Sequence, residues 1–157
     1  MFLYLIRHAH AVDSADDATR RLSSRGRAQA ERLANFLRRV SLPKPDEVWH
    51  SSLVRAGETA RLLAGGLAWE ARLIEVDGLQ PESPPLPIAA RIDAFARTLA
   101  IVGHEPFLGA LGAVLVRGSP WPPIFAMRKC GVLALERAAG SWVASWHLSP
   151  ELFGPDD

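Results

Sequence analysis

Basic and imidazole side chains follow three predicted strands of this chain, near the points where the strands end. They are the side chains of Arg7, His8, Arg55 and His104. In an open α/β sheet the carboxyl ends of parallel strands meet at one edge, and this edge is where ligands bind. We therefore expect the four side chains to lie close together and to form a site for an anion.

The residue types in this set suit a phosphoryl group. Guanidinium groups form paired hydrogen bonds with phosphate oxygens, so Arg7 and Arg55 are predicted to clamp one phosphoryl group. Nearby positive charge opposes protonation of His8, and a neutral imidazole is a nucleophile toward phosphorus. His104 is expected to stabilise charge on the phosphoryl oxygens. This chemistry needs no metal ion and no other cofactor.

The position of Arg55 leaves two interpretations open. Arg55 lies in the first turn of a predicted helix, where the positive end of the helix dipole disfavours a cation. The placement makes sense if an anion binds there, because a helix N-terminus also offers free N–H groups to a phosphate. In the alternative interpretation the side chain turns outward into solvent.

Hydrophobic periodicity predicts the elements that position these residues. Strand patterns occur at 2–6, 47–50, 72–76 and 99–103, and a final pair at 131–137 and 142–148 predicts a hairpin. Helical patterns occur at about 24–40, 53–66, 86–98 and 106–116. The alternation predicts an α/β fold: a three-layer α/β/α sandwich around a mostly parallel central sheet with an antiparallel hairpin at its edge.

Four segments resemble those of the histidine phosphatase superfamily, and they occur in the order typical of that family. They read "LIRHA", "LSSRGRAQA", "SSLVRAGETA" and "VGHEP". The later stretches "PPIF", "GVLAL" and "WHLSP" are similar to the small SixA-type phosphohistidine phosphatases of this superfamily. The resemblance covers most of the chain and implies a phosphoglycerate mutase-like fold.

The resemblance also implies roles for individual residues. His8 would be the nucleophile that becomes phosphohistidine, and His104 the second catalytic histidine. Arg7 and Arg55 would bind the phosphoryl group, with Ser51 supporting the phosphate pocket.

Most members of the family place a carboxylic acid after the third strand, where it protonates the leaving group. The matching segment here is "GLQPES", which puts Pro81 at the acid position and leaves Glu82 beside it as a possible acid. His10 is expected at the rim of the pocket. Without an acid, expulsion of an alkoxide is slow, whereas imidazole leaves more easily because the pKa of its conjugate acid is about 6.5.

Because Pro81 stands where most members of the family have a carboxylic acid, a substrate with a P–N bond is favoured over a phosphate ester. The resemblance thus predicts hydrolysis of phosphohistidine on proteins, with a phosphohistidine-containing protein such as a phosphotransfer domain as partner. Two alternatives stay open. One is a phosphatase for small phosphomonoesters such as sugar phosphates or nucleotides, with a mutase less favoured. The other is an inactive module that binds phosphohistidine.

Composition limits the other classes of function. The chain has 157 residues and a net charge of +1, which predicts one domain over residues 1–157 and no general attraction to nucleic acid or membrane. Cys130 is its single cysteine, so it has no intramolecular disulfide, and we expect a cytoplasmic monomer. The stretch "DSADDA" at 13–18 is expected to be a flexible acidic loop, with a place at the phosphate rim as the alternative.

A zinc site is the rival interpretation of the histidines. His8 and His10 lie two residues apart, and further imidazole and thiol groups occur at His50, His104 and Cys130. Two residues of one strand supply only two ligands, and no H-x-x-x-H or C-x-x-C pair follows. The sequence therefore favours phosphoryl chemistry without metal.

Overall fold

A computed structural model describes residues 1–153 of the chain. Strands and helices alternate through most of it, as predicted. The strands are β1 (Phe2–Arg7), β2 (Glu47–His50), β3 (Arg72–Glu75), β4 (Leu99–Gly103), β5 (Val132–Ala138) and β6 (Ser141–Leu148). The helices are α1 (Ser24–Leu37), α2 (Val54–Gly66), α3 (Pro85–Phe95) and α4 (Phe107–Arg117). Short 3₁₀ turns occur at Asp17–Thr19 and Pro150–Phe153.

The six strands form one sheet in the order β3-β2-β4-β1-β5-β6. The pairs β3–β2, β2–β4 and β4–β1 are parallel, whereas β1–β5 and β5–β6 are antiparallel. This topology confirms the predicted parallel sheet with a hairpin at one edge. It also places the ends of β1, β2 and β4 next to one another, because these are three neighbouring parallel strands.

The core lies on both faces of the sheet, so the fold is the predicted three-layer sandwich. Alternation along β1 sends Leu3 and Leu5 to one face and Tyr4 and Ile6 to the other. Helices α3 and α4 cover the first face, and α1 and α2 cover the second. None of the helices within residues 1–153 combines the length and the apolar character needed to cross a membrane.

Two helices end earlier than the sequence pattern predicts. Helix α1 ends at Leu37 although the apolar pattern continues to Val40, whose side chain is 48% exposed. Helix α3 ends at Phe95 because Ala96 adopts a left-handed backbone conformation with φ of +52°. Hydrophobic spacing reports neither the exposure of Val40 nor the backbone conformation of Ala96.

The N-terminus of α1 packs directly against the loop that follows β1. The side chain of Ser23 caps the helix by accepting a hydrogen bond from the Gly26 N–H, and the Ser23 N–H donates to the His10 carbonyl at 3.1 Å. A Cβ atom on Gly26 would lie only 1.9 Å from the His10 carbonyl oxygen. Glycine is therefore required at this position by the close approach of two backbone segments.

We predict that Gly26→Ala lowers the free energy of unfolding by about 1–3 kcal/mol, because the helix and the loop must move apart to admit the methyl group. Urea-induced unfolding measures this change. Gly65→Ala is the matched control, since a Cβ there meets no atom within 4 Å, and alanine in a helix is favoured over glycine by up to about 1 kcal/mol. Equal unfolding free energies for the Gly26 variant and the unmodified protein would contradict the packing described.

Candidate active site

His8 lies directly after β1, with its backbone N–H donating to the Gly103 carbonyl of β4 at 2.9 Å. The imidazole is buried, and its Nδ1 atom lies 2.7 Å from the carbonyl oxygen of Ala9. Because a carbonyl oxygen only accepts hydrogen bonds, Nδ1 carries the proton. The lone pair of the ring is therefore on Nε2, and this is the tautomer that a nucleophilic imidazole requires.

Side chains from two distant segments hold the loop that carries His8. The Ala9 N–H donates to Thr59 Oγ1 at 3.1 Å, and the His10 N–H donates to Gln29 Oε1 at 2.9 Å. Thr59 Oγ1 also donates to the Arg55 carbonyl at 2.7 Å. The "LSSRGRAQA" and "SSLVRAGETA" segments thus satisfy the buried backbone of the loop and fix its shape.

His104 follows β4, and its ring centroid lies 5.0 Å from that of His8. Its Nε2 atom is 2.6 Å from Ser51 Oγ, which also accepts a hydrogen bond from the Leu53 N–H at 3.3 Å. This contact fixes the orientation of the His104 ring, so that its Nδ1 atom is the ring nitrogen turned away from Ser51. This Nδ1 is buried without a hydrogen-bond partner among residues 1–153.

Both arginines of the predicted clamp are held at the site. Arg7 Nη1 donates to the Met127 carbonyl at 2.8 Å. Arg55 is 5% exposed, so the interpretation in which it turns into solvent is wrong. Within the described part of the chain, the Nε atoms of Arg7 and Arg55 are buried without a hydrogen-bond partner. Buried donors are almost always paired in proteins, so these atoms fit the oxygens of a bound anion.

Burial and positive neighbours keep both imidazoles neutral. Burial is the main cause that lowers the pKa of His8 to about 3, and the charges of His104, Arg55 and Arg7 lower it further. Burial likewise lowers the pKa of His104 to about 4, helped by Arg55 and Arg7. At neutral pH the site therefore combines two neutral imidazoles, His8 and His104, with the guanidinium cations of Arg7 and Arg55.

Asp17 is a site residue that the sequence analysis included only in its alternative interpretation of 13–18. Arg55 Nη1 donates to the Asp17 carbonyl at 2.8 Å, and Arg55 Nη2 lies 3.2 Å from Asp17 Oδ2. The prediction of a flexible acidic loop at 13–18 is wrong at this residue, because Asp17 begins a 3₁₀ turn whose cap is Asp16. A hydrogen bond from Arg20, and then Arg55, hold the pKa of Asp17 below its usual value. The alternative interpretation of 13–18, a place at the rim of the phosphate site, is the one that the contact between Asp17 and Arg55 supports.

Glu105 is a second carboxylate that the sequence analysis missed. It directly follows His104, is half-buried, and accepts a hydrogen bond from the Gly109 N–H at 2.9 Å. Burial raises the pKa of Glu105, and its charge acts on Arg7. Its place in the chain beside a catalytic candidate is the only signal that the sequence offers.

The other candidates occupy different positions. Glu82 is exposed and lines a cavity of about 120 Å³ that none of the four main candidates lines. His10 lies at the rim, where its Nδ1 atom is 2.7 Å from Ser23 Oγ. His50 and Cys130 are buried, and His50 Nδ1 bonds to the Ser51 carbonyl at 2.9 Å. Residues 1–153 contain no group of three or more His, Cys, Asp or Glu that could hold a metal ion.

The fold and the site together define a class: an α/β protein in which paired neutral histidines and paired arginines meet at the carboxyl edge of a parallel sheet. The family model of the histidine phosphatase superfamily (branch 1) matches residues 3–82. The chain belongs to this superfamily, and its fold is the predicted phosphoglycerate mutase-like fold.

Proteins of similar length resemble this chain in sequence or in fold. The chain is 25% identical to the phosphohistidine phosphatase SixA of Escherichia coli K12, over 96% of this chain and 94% of that protein. The solved structure of the protein histidine phosphatase SixA complexed with tungstate superposes with a TM-score of 0.84, at 23% identity, covering 98% of this chain and 100% of that one. The alpha-ribazole phosphatase of Shigella flexneri has a TM-score of 0.70 at 21% identity, covering 96% and 97%.

We predict that the His8 imidazole stays neutral, with the proton on Nδ1, from about pH 8 down to about pH 5, because its folded-state pKa of about 3 lies far below the usual value near 6.5. Nitrogen-15 NMR of the imidazoles reports both the tautomer and the charge. In denaturant, all five histidines of the chain are expected to titrate near the usual value, which provides the control. A His8 midpoint between pH 6 and pH 7 in the folded protein would be roughly that usual value and would contradict the prediction.

Proposed function

We propose that this protein is a phosphatase that hydrolyses phosphohistidine on proteins through a covalent phosphohistidine intermediate on His8, without a metal ion. The observation that carries this proposal is the hydrogen bond from His8 Nδ1 to the Ala9 carbonyl, at 2.7 Å. It orients the ring and leaves the Nε2 lone pair for attack on phosphorus. Arg7, Arg55 and His104 surround the ring and supply donors for the phosphoryl oxygens.

The reaction has two steps. In the first, His8 Nε2 forms a bond to phosphorus, the P–N bond to the substrate histidine breaks, and the departing ring nitrogen takes a proton from solvent. In the second, a water oxygen bonds to phosphorus, the P–N bond to His8 breaks, and inorganic phosphate leaves. His8 Nε2 regains its lone pair, and the proton lost by the water passes to solvent.

Two carboxylates, Asp17 and Glu82, are poorly suited to protonate a leaving group. Asp17 has a pKa below its usual value, so it is ionised at neutral pH and has no proton to donate. Glu82 is exposed and lines a different cavity. An imidazole leaving group is protonated by solvent more easily than an alkoxide, because the pKa of its conjugate acid is about 6.5. The partner in this proposal is a phosphohistidine-containing protein of the cytoplasm, such as a phosphotransfer domain.

The names of the relatives agree with this proposal and also define a second candidate function. The Escherichia coli relative is a phosphohistidine phosphatase, whereas the Shigella flexneri structure is that of an alpha-ribazole phosphatase. Hydrolysis of small phosphomonoesters is favoured by one observation in this chain. Glu105 is a half-buried carboxyl near Arg7 with a raised pKa, which is the property of a general acid.

We predict that the protein releases phosphate from a phosphohistidine protein much faster than from a phosphoserine peptide or a sugar phosphate, all measured in the presence of a chelator. His8→Ala is expected to abolish this release without loss of fold, because the nucleophile is missing. His147→Ala is the matched control, since His147 is exposed in the β5–β6 hairpin. Circular dichroism checks the fold, and mass spectrometry detects the acid-labile phosphoryl group on His8.

The other outcomes would contradict the proposal in different ways. Undiminished activity of the His8 variant would exclude the covalent mechanism. Rapid release from the esters alone would favour the phosphomonoesterase. Binding of the phosphorylated protein with no turnover and no labelled His8 would favour the inactive binding module.

We predict that Glu105→Gln leaves the hydrolysis of phosphohistidine within about threefold of the unmodified protein, because solvent protonates an imidazole leaving group. If Glu105 acts as an acid toward esters, the same variant lowers kcat for a sugar phosphate by roughly 10²-fold or more. Steady-state assays on the two substrates separate these roles. A similar large loss of kcat on both substrates would contradict the proposal that phosphohistidine cleavage needs no acid.

A further inference from the structure

A cavity of about 340 Å³ adjoins the phosphoryl site, and Arg7 belongs to both. Four cationic side chains line it, those of Arg7, Arg25, Arg128 and Lys129, together with His10 and Gln29. We call this cavity the basic basin. Because Arg7 is shared, a substrate whose phosphoryl group is bound at Arg7 and His8 would place its neighbouring atoms in or beside the basic basin.

Charge in the basic basin is strongly one-sided. Among residues 1–153, the single carboxylate that lines it belongs to Glu151, which lies 3.6 Å from Arg128 Nε, and both of these side chains are largely exposed. An exposed ion pair of this kind offsets little of the local field. Since the net charge of the whole chain is only +1, this concentration of positive charge is a local feature and not a property of the composition.

Lys129 lies at the centre of this field. It is half-buried, and the charges that act on it most strongly are the guanidinium groups of Arg7, Arg20, Arg55 and Arg25. Partial burial, and then these like charges, lower the pKa of Lys129. A cation held among cations costs free energy, and a bound anion offsets that cost.

The backbone holds Lys129 in this position. The N–H of Cys130 donates to the Arg7 carbonyl at 3.0 Å and to the His8 carbonyl at 3.2 Å, and the Arg7 N–H donates to Gly131 at 3.0 Å. With the bond from Arg7 Nη1 to the Met127 carbonyl, the segment 127–131 is fixed to the residues that bind the phosphoryl group. The separation between Lys129 and the phosphoryl site is therefore set by the fold.

Negative charge near the phosphoryl site belongs to Asp17, which contacts Arg55 and Arg20 and acts on His104. Lys129 and Arg25 act instead on His10. A substrate with a negative group beside its phosphoryl group is thus attracted toward the basic basin.

We propose that the basic basin binds a carboxylate beside the phosphoryl group of the substrate, supplied by an acidic side chain that flanks the phosphohistidine in its protein. This inference rests on the proposed function. It adds a preference among phosphohistidine proteins: those with Glu or Asp next to the modified residue are the better substrates. Because the carboxylate lies away from the reacting atoms, its contacts are the same before and during reaction, so the preference is expected in KM and not in kcat.

Three substrates test the proposal on the full-length chain. Two are phosphohistidine peptides that differ only in Glu or Gln at the residues flanking the phosphohistidine. The third, N-acetyl phosphohistidine amide, carries no carboxylate and reports the proposed activity by itself. We expect kcat/KM about fivefold higher for the Glu peptide than for the Gln peptide, through a lower KM, which is the size of one ion pair.

Two double variants, each of which removes two positive charges, test whether the preference for the Glu peptide comes from the basic basin. In Lys129→Gln/Arg25→Gln the ratio of the two peptides is expected to fall to about one. The control is Lys44→Gln/Arg39→Gln, which changes residues before β2 and after α1, at the other edge of the sheet, and is expected to keep the fivefold ratio. Circular dichroism confirms that each variant is folded.

The outcomes distinguish failure of this inference from failure of the proposed function. Turnover of N-acetyl phosphohistidine amide with equal kcat/KM for the two peptides would overturn the inference about the basic basin and leave the proposed function standing. If the ratio of kcat/KM for the two peptides fell equally in both double variants, the inference would also be overturned. The preference would then come from the overall charge of the protein and not from the basic basin. No turnover of any phosphohistidine substrate, with a preference for a sugar bisphosphate over a sugar monophosphate, would overturn both proposals in favour of a metabolite.

Discussion

The site depends on one constraint: the buried backbone of the loop after β1 must find hydrogen-bond partners. Unpaired buried N–H and C=O groups are costly, and Ala9 and His10 satisfy theirs with Thr59, Gln29 and Ser23. The Ala9 carbonyl is then available to the His8 ring and sets its tautomer. The tautomer of His8 thus depends on the hydrogen bonds that residues of α1 and α2 make to the backbone of this short loop.

Electrostatics at the site is local and comes from burial. The chain as a whole is nearly neutral, yet the edge of the sheet gathers guanidinium groups on either side of two buried imidazoles. Burial disfavours the charged form of His8 and His104, while Arg7 and Arg55 remain cationic. Lys129 then adds positive charge beside Arg7, and Asp17 bonds to Arg55.

Most of the fold was predictable because its elements have clear periodicity and its sheet is mainly parallel. The order of strands and helices, the hairpin at the edge and the three layers all follow from that pattern. The ends of α1 and α3 were predicted less well. Val40 continues the apolar spacing but is 48% exposed, and Ala96 ends α3 through its backbone conformation. Neither property is visible in residue spacing.

The sequence by itself determined that Arg7, His8, Arg55 and His104 lie at or after the ends of strands, and parallel strands bring such ends together. Only the tertiary structure decided how their atoms are used. In the folded protein Arg55 turns inward and bonds to Asp17, and Ser51 bonds to His104. Glu105 and Lys129 lie close enough to Arg7 for their charges to interact. The physical reason is distance along the chain. Contacts between segments tens of residues apart depend on packing, whereas the position of a residue at a strand end depends on local pattern alone.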